Sequence, residues 1–340
     1  MAPAVYVQTN DAAANEVIAF SRADDGALAP LGRYSTGGRG TGVPHLASAG
    51  SVVLSDDGQW LVVVNAGSDE LSLFEVQPDG LRLADRASSS GRGPTSVAVR
   101  STLVYVLNNG TPSISGFTLA GGKLTELEGS TRPGSSDADP AQISFTADGR
   151  VLIVTERGTN TISSYLIDEH GYLQNPATIK SSGQTPYGFA LTANGSLIVS
   201  EAFGGATGAA AASSYAVSGV GELTMVSGSV GDTRSEVCWV ALTKDDRFAY
   251  VTNFGDGTVS SYEIAADRSL RLREAVAGVA AQGSKKGLRD EAISGDGRYL
   301  YAIDADAQKL CGWAVGQGGQ LRLVGQFGGV PDTVAGLAAS

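Results

Sequence analysis

The chain is poor in the side chains that most often carry chemistry. Of 340 residues, only two are histidine, two cysteine and two methionine. Cys238 and Cys311 show no metal-ligand spacing, and two unmatched cysteines make a poor disulfide framework. They read as reduced packing residues, because free cysteine behaves as a small hydrophobe. Charged residues are only 17% of the chain, and helix-forming stretches of Glu, Lys and Leu are missing. No apolar run approaches the ~18 residues that cross a bilayer. The N-terminus enters a strand-like run at Val5-Tyr6-Val7 without the charged, apolar and cleavage regions of an export signal. These absences point to a cytoplasmic protein with no membrane partner. A net charge of −11 argues against nucleic acid as well.

What the chain does have is glycine, 46 residues of it, and a long repeat. Phe20, Phe74, Phe117, Tyr165, Tyr215, Tyr262 and Trp313 recur 43 to 54 residues apart. Nine residues before five of them an Asn or an acid ends a hydrophobic run: Asn65, Asn108, Glu156, Asn253 and Asp304. Asn10 holds that position with one extra residue, and Glu201 with five extra. Within each period the pattern is that of short strands, so the repeat reads as propeller blades rather than a helical solenoid.

In the fourth copy, Ala141 to Ala147 alternates and ends at Asp148-Gly149, a two-residue hairpin signal with positive φ expected at both residues. The apolar run Val151 to Val154, the segment Ile162 to Ile167 and an outer strand Tyr172 to Ile179 complete the blade. The turn recurs at Asp57-Gly58, Asn194-Gly195 and Asp296-Gly297, with Asp245-Asp246 as a variant. After Trp313 the chain supplies an outer strand, Gln320 to Phe327, and then a run, Thr333 to Ala338, that matches an innermost strand without its partner. The N-terminal run is the missing partner. The reading is therefore all-β, a seven-bladed β-propeller of four-stranded antiparallel blades spanning residues 1–340 as one domain. Its ring closes by joining the N- and C-terminal strands in one blade, which leaves no open sheet edge at the seam.

In such a ring, the residue after each second strand and the loop before each innermost strand share one face. The spacing thus predicts that the Asn/Glu/Asp positions converge on one mouth of the central channel. Asn or Asp there can also bond its own backbone to start a turn. Glutamate is a poorer turn-former, which makes Glu156 and Glu201 the candidate catalytic carboxylates. His45, Arg39, Arg92, Gln142, Tyr187, Trp239 and Asn253 are the candidate substrate-binding residues, and arginines around a rim suit a small anionic molecule. The same oxygen ligands also leave a calcium site open as an alternative. The glycine run Gly37 to Gly42 lacks the strand-to-helix context of a phosphate loop.

The segment Val251 to Val259 (VTNFGDGTV), preceded by Asp246-Arg247-Phe248-Ala249-Tyr250, resembles the YVTN-type propeller repeat. With Gly42-Val43-Pro44-His45, Thr155-Glu156-Arg157 and Ser200-Glu201, the whole chain resembles the seven-bladed lactonase family, which includes propeller-type 6-phosphogluconolactonases and 3-carboxymuconate lactonising enzymes. That resemblance implies an enzyme of lactone chemistry, a hydrolase or a lactonising isomerase/cyclase. It would open or close a lactone of a carboxylate-bearing substrate without a cofactor, as a monomer. The family's His-x-His is Asp139-Pro140-Ala141 before Gln142 here, its Pro-Arg-His is Pro186-Tyr187-Gly188, and its Asn-Arg is Asn253-Phe254. With those histidines and arginines replaced, a non-catalytic binding scaffold and a calcium-dependent lactonase or esterase are the alternatives.

Overall fold

The computed structural model describes residues 2–44, 46–280 and 287–340. His45 lies outside the described residues. Seven antiparallel sheets form the ring. Blade 1 orders Ala335–Ala339, Ala4–Gln8, Glu16–Arg22 and Leu28–Ser35 from the axis outward. The termini meet as Val5 opposite Ala339, Tyr6 opposite Ala338 and Val7 opposite Leu337, so the last strand is the innermost strand of the first blade. Blades 2 to 7 begin at Val52–Leu54, Pro94–Arg100, Pro140–Phe145, Pro186–Leu191, Val237–Leu242 and Leu288–Ile293.

Two outer strands depart from the expected grammar. In blade 4 only Ala177–Lys180 is strand, and Leu173 makes an isolated bridge to Ile167. Pro176, lying between them, has no N–H to give the ladder. In blade 3 the outer edge is split into Lys123–Glu126 and Arg132–Pro133, both on Ser113–Ala120. Gly129, with φ 74, turns the chain between the two pieces.

The hairpins between first and second strands also differ from the expected turn. Gly58, Gly149, Gly195 and Gly297 have positive φ, but the preceding Asp or Asn does not. A Ser or Thr two residues earlier donates its hydroxyl to that side chain instead: Ser55 to Asp57 at 2.7 Å, Thr146 to Asp148 at 2.7 Å, Thr192 to Asn194 at 2.7 Å. Thr243 to Asp245 and Ser294 to Asp296, both at 2.6 Å, complete the set. Each Asp or Asn thus closes a turn by capping local groups, with glycine taking the one left-handed position in four of the five. In blade 6 Asp246, φ 57, stands where the others have glycine.

The core lies between blades. Aliphatic side chains of each second strand interleave with those of the neighbouring sheet, as Val62, Val64, Val97, Val104 and Phe117 do between blades 2 and 3. The repeating aromatics are buried there, apart from the half-buried Tyr165. A second aromatic series escaped the sequence pattern. The hydroxyls of Tyr105, Tyr250 and Tyr301 donate to the carbonyls of Gly171, Gly319 and Gly26, each in the outer hairpin of the following blade. They tie blade to blade, and burial raises all three phenols above their ordinary range.

Candidate functional site

The polar residues after the second strands do not meet over the channel. Each is taken up by local partners, in its own blade, in the loop joining two blades or, for Asn65, also in the preceding blade. Asn65, fully buried, accepts from Thr36 Oγ1 at 2.7 Å and Asn15 Nδ2 at 3.0 Å and donates to Ser72 Oγ at 2.8 Å. Asn253 donates to Thr258 and Ser260, and Asn108 to Ser89 and Ser113. Asn10 holds Thr41 and the Val43 carbonyl, and Asp304 accepts from the Ala307 N–H. Glu156 is part-buried and accepts from Thr159 Oγ1 at 2.6 Å.

Glu201 follows the same rule. Its Oε1 accepts from Ser213 Oγ at 2.6 Å, the Gly183 N–H at 2.7 Å and Ser181 Oγ at 3.1 Å, and its Oε2 from Ser229. The carboxylate, with no exposed surface, joins the second, third and outer strands of blade 5 to the loop before its innermost strand.

The channel itself is crossed by the chain. The segment 46–50 leaves the rim and enters it, where Ala49 N–H donates to the Ala141 carbonyl of blade 4 at 3.1 Å. The Ser48 carbonyl accepts from the Trp239 indole N–H of blade 6 at 3.0 Å, and Ser48 Oγ donates to the Thr95 carbonyl of blade 3. Ala49, Ala141, Tyr187, Cys238 and Trp239 pack into one buried cluster around this plug. Tyr187 and Trp239 lie 5.5 Å apart, ring to ring. Arg289, fully buried, donates to the carbonyls of Pro44, Asp332 and Val334 and fixes the plug to blades 7 and 1.

Below the plug is a cavity of about 280 Å³ with Gln142, Trp239, Asp290 and Glu291 in its wall. Gln142 is bound to both backbone groups of Phe189, at 2.9 and 2.7 Å. Burial raises Asp290 to about 6, against the opposing influence of the Arg289 charge. Burial also pushes Glu291 well above the carboxylate range.

Above the plug, at the mouth, a larger cavity of about 480 Å³ spans blades 4, 5 and 6. Arg157, with its side chain 11% exposed, lies over the Tyr187 ring at 4.8 Å. Its Nη2 donates to Asp139 Oδ1 at 2.6 Å and its Nε to the Asp139 carbonyl at 3.3 Å. Glu236, Thr185, Cys238 and Phe254 complete the working wall. Burial raises the Tyr187 phenol and the Cys238 thiol well above their usual ranges, so both stay protonated.

The backbone marks this cavity too. The residue before the innermost strand is left-handed in five blades: Gly93, Asp139, Thr185, Glu236 and Gly287. Blades 3 and 7 use glycine there, whereas blades 4, 5 and 6 put a side chain on the strained position, with φ of 41, 57 and 55. Those three side chains all line the mouth cavity. Left-handed non-glycine residues cost about 1 kcal/mol each and collect at functional sites.

Of the residues read from the sequence, Tyr187 lines the mouth cavity, and Gln142 and Trp239 line the one beneath it. Arg39 and Arg92 are exposed on the rim, in the loops before blades 2 and 3, and line neither. Glu156, Glu201 and Asn253 line neither. Asp139, Arg157, Thr185, Glu236 and Phe254 escaped that reading as site residues. A signal existed, since Asp139-Pro140 and Thr185-Pro186 align with Gly93-Pro94 and so place a side chain where glycine is easiest.

The model of the family described as lactonase, 7-bladed beta-propeller, matches residues 6–135, 100–202 and 201–327. The chain belongs to that family. The solved structures it resembles include the periplasmic gluconolactonase of Pseudomonas aeruginosa, with a TM-score of 0.74 and 17% identity over 100% of this chain and 99% of that one. A putative 6-phosphogluconolactonase from Bacteroides uniformis gives a TM-score of 0.76 and 17% identity at the same coverage. At such identities the likeness speaks for the shared fold. A curated relative, an uncharacterised protein of Staphylococcus saprophyticus, is 25% identical over 150 residues, 42% of this chain and 44% of that protein. The match therefore spans less than half the length of that relative.

In this lactonase-family propeller, the left-handed Asp139 opens the segment Asp139-Pro140-Ala141 and the left-handed Thr185 immediately precedes Pro186-Tyr187-Gly188. Among the described residues no three His, Cys, Asp or Glu side chains converge as cation ligands. No helix among them is long and apolar enough to cross a membrane.

Proposed function

We propose that the chain is a cofactor-independent lactone hydrolase, or the lactonising enzyme of the reverse reaction, working in the mouth cavity of blades 4 to 6. The observation that supports this most is the convergence of three strained side chains and a nearly buried arginine on one cavity, in a lactonase-family ring. Asp139 occupies Nη2 and Nε of Arg157, which orients the guanidinium and leaves Nη1 for a ligand. Placed on a lactone carbonyl, Nη1 would stabilise the oxyanion of the addition step.

The base role, read from the sequence as Glu156 or Glu201, passes in this proposal to Glu236. Its carboxylate is part-buried, lines the cavity and approaches Gly205 and Gly255. Glu236 takes a proton from water as the water oxygen attacks the carbonyl carbon. The ring C–O bond then breaks, the departing alkoxide receives that proton from Glu236, and the new carboxylic acid releases its own proton to solvent, leaving the carboxylate on Arg157. Such base catalysis contributes about 10²–10⁴-fold. The substrate is a small organic molecule that is anionic in its open form. Two buried free cysteines in different blades fit a reducing cytoplasm.

Initial rates against a panel of γ- and δ-lactones, followed by proton release, test the reading with wild type and Arg157→Gln. Turnover that falls at least 100-fold in kcat in the variant, at unchanged melting temperature, supports it. Turnover indifferent to Arg157 removes it. Binding of the open acids without any turnover would favour the non-catalytic scaffold instead.

A further inference from the structure

The charge on the walls of the mouth cavity sets a limit on its ligand. Among the described residues lining it, the ionised side chains are Asp139, Arg157 and Glu236, one positive and two negative. The single cation is already paired with Asp139 at 2.6 Å. Behind the wall, Arg289 and Asp290 sit side by side and offset one another, and Nη1 and Nη2 of Arg289 are spent on backbone carbonyls. The remaining wall is Thr185, Tyr187, Phe254, Cys238, Ala202 and glycine backbone.

A phosphate dianion needs several N–H donors or a net positive pocket. Here it would find one shared guanidinium, with the Glu236 carboxylate in the same cavity. The Tyr187 ring is covered by Arg157, and the part-buried Phe254 offers instead a surface for a flat or apolar group.

From this we infer that the substrate is an uncharged lactone bearing an apolar or aromatic substituent and no phosphate, and that Glu236 is the residue that excludes a second negative charge. The inference rests on the mouth cavity being the lactonase site. The only charge accommodated is the carboxylate that opening the ring creates, held on Arg157. Like charges about 6 Å apart at an effective dielectric of about 20 oppose binding by roughly 100-fold.

Isothermal titration of the full chain with three open-form acids tests this: 4-hydroxy-4-phenylbutanoate, gluconate and 6-phosphogluconate, each against wild type, Glu236→Gln and Arg157→Gln. The expected order of affinity is the phenyl acid, then gluconate, then 6-phosphogluconate, with at least tenfold between the first and the last. Glu236→Gln should tighten 6-phosphogluconate at least tenfold more than it tightens the phenyl acid. Arg157→Gln should weaken all three. Tightest binding of 6-phosphogluconate, still dependent on Arg157, overturns the inference while leaving the lactonase site in place. Binding of any of them that ignores both variants, or no binding of any with no lactone turnover, overturns the site and the inference together.

Discussion

Glu201→Ala separates a carboxylate that builds the ring from one that does chemistry. Four donors lose their acceptor in this variant: the hydroxyls of Ser181, Ser213 and Ser229 and the backbone N–H of Gly183. The hydroxyls can rotate, and Ser213 already lies 3.2 Å from the Tyr215 hydroxyl. The Gly183 N–H cannot turn away, and a buried donor left unpaired costs about 1–3 kcal/mol. Losing the charge-assisted bonds adds about 1.5–3 kcal/mol, so the total is about 3–5 kcal/mol. An unfolding entropy near 2.1 cal/mol/K per residue over a chain this long converts 1 kcal/mol into about 1.4 °C. A fall in melting temperature of about 4–7 °C is expected, measured by differential scanning calorimetry. Glu201→Gln, which keeps one acceptor, should fall by less. Lactone turnover per folded molecule, assayed well below the transition, should stay within threefold of wild type. An unchanged melting temperature with turnover abolished would refute the structural assignment and return Glu201 to catalysis.

Other perturbations follow from the same packing. In Gly188→Ala the new Cβ would sit 2.4 Å from the Cys238 carbonyl oxygen, where blade 5 packs against blade 6, and overpacking of this kind costs about 1–3 kcal/mol by urea unfolding. Trp239→Phe removes the indole donor to Ser48 and strands a buried carbonyl, at about 1–2 kcal/mol, and limited proteolysis within 43–50 should become faster. The hydroxyl and N–H donors of the repeating hairpin hold Asp57, Asp148 and Asp245 below the ordinary aspartate range. A carboxylate whose folded pKa lies below its unfolded value stabilises the ring fully above about pH 4, and loses that contribution as pH falls through the folded value. The melting temperature should therefore drop below pH 4, and the triple variant Asp57→Asn, Asp148→Asn, Asp245→Asn should flatten that acid slope. An unaltered slope would mean that other carboxylates control acid unfolding.

The ring could be read from the sequence because its period is written in residues whose environment repeats. The aromatic of each third strand is buried in every copy but that of Tyr165, and the Asn or acid before it lies at or just past the end of the second strand. The terminal seam was legible for the same reason, since Val5 to Val7 and the final run are each half of a known pattern. The site was less legible. Position after the second strand locates a residue near one face but says nothing of its direction; Glu201 is bound within blade 5, and Asn65 is bound by Ser72, Thr36 and Asn15. The plug at 46–50 follows no period, and its bonds to blades 3, 4 and 6 span up to 191 residues. Arg157 was concealed by its neighbour: Glu156 drew attention as the acid at a repeating position, while the residue that lines the mouth cavity is the next one.

The central claim is that lactone chemistry occurs at the mouth cavity with Glu236 as its base. The most direct measurement is the kcat of Glu236→Gln on the best lactone of the panel, alongside its melting temperature. A loss of about 10²–10⁴-fold in kcat at an unchanged melting temperature is the expected result. Wild-type kcat in the Glu236→Gln protein would contradict the account.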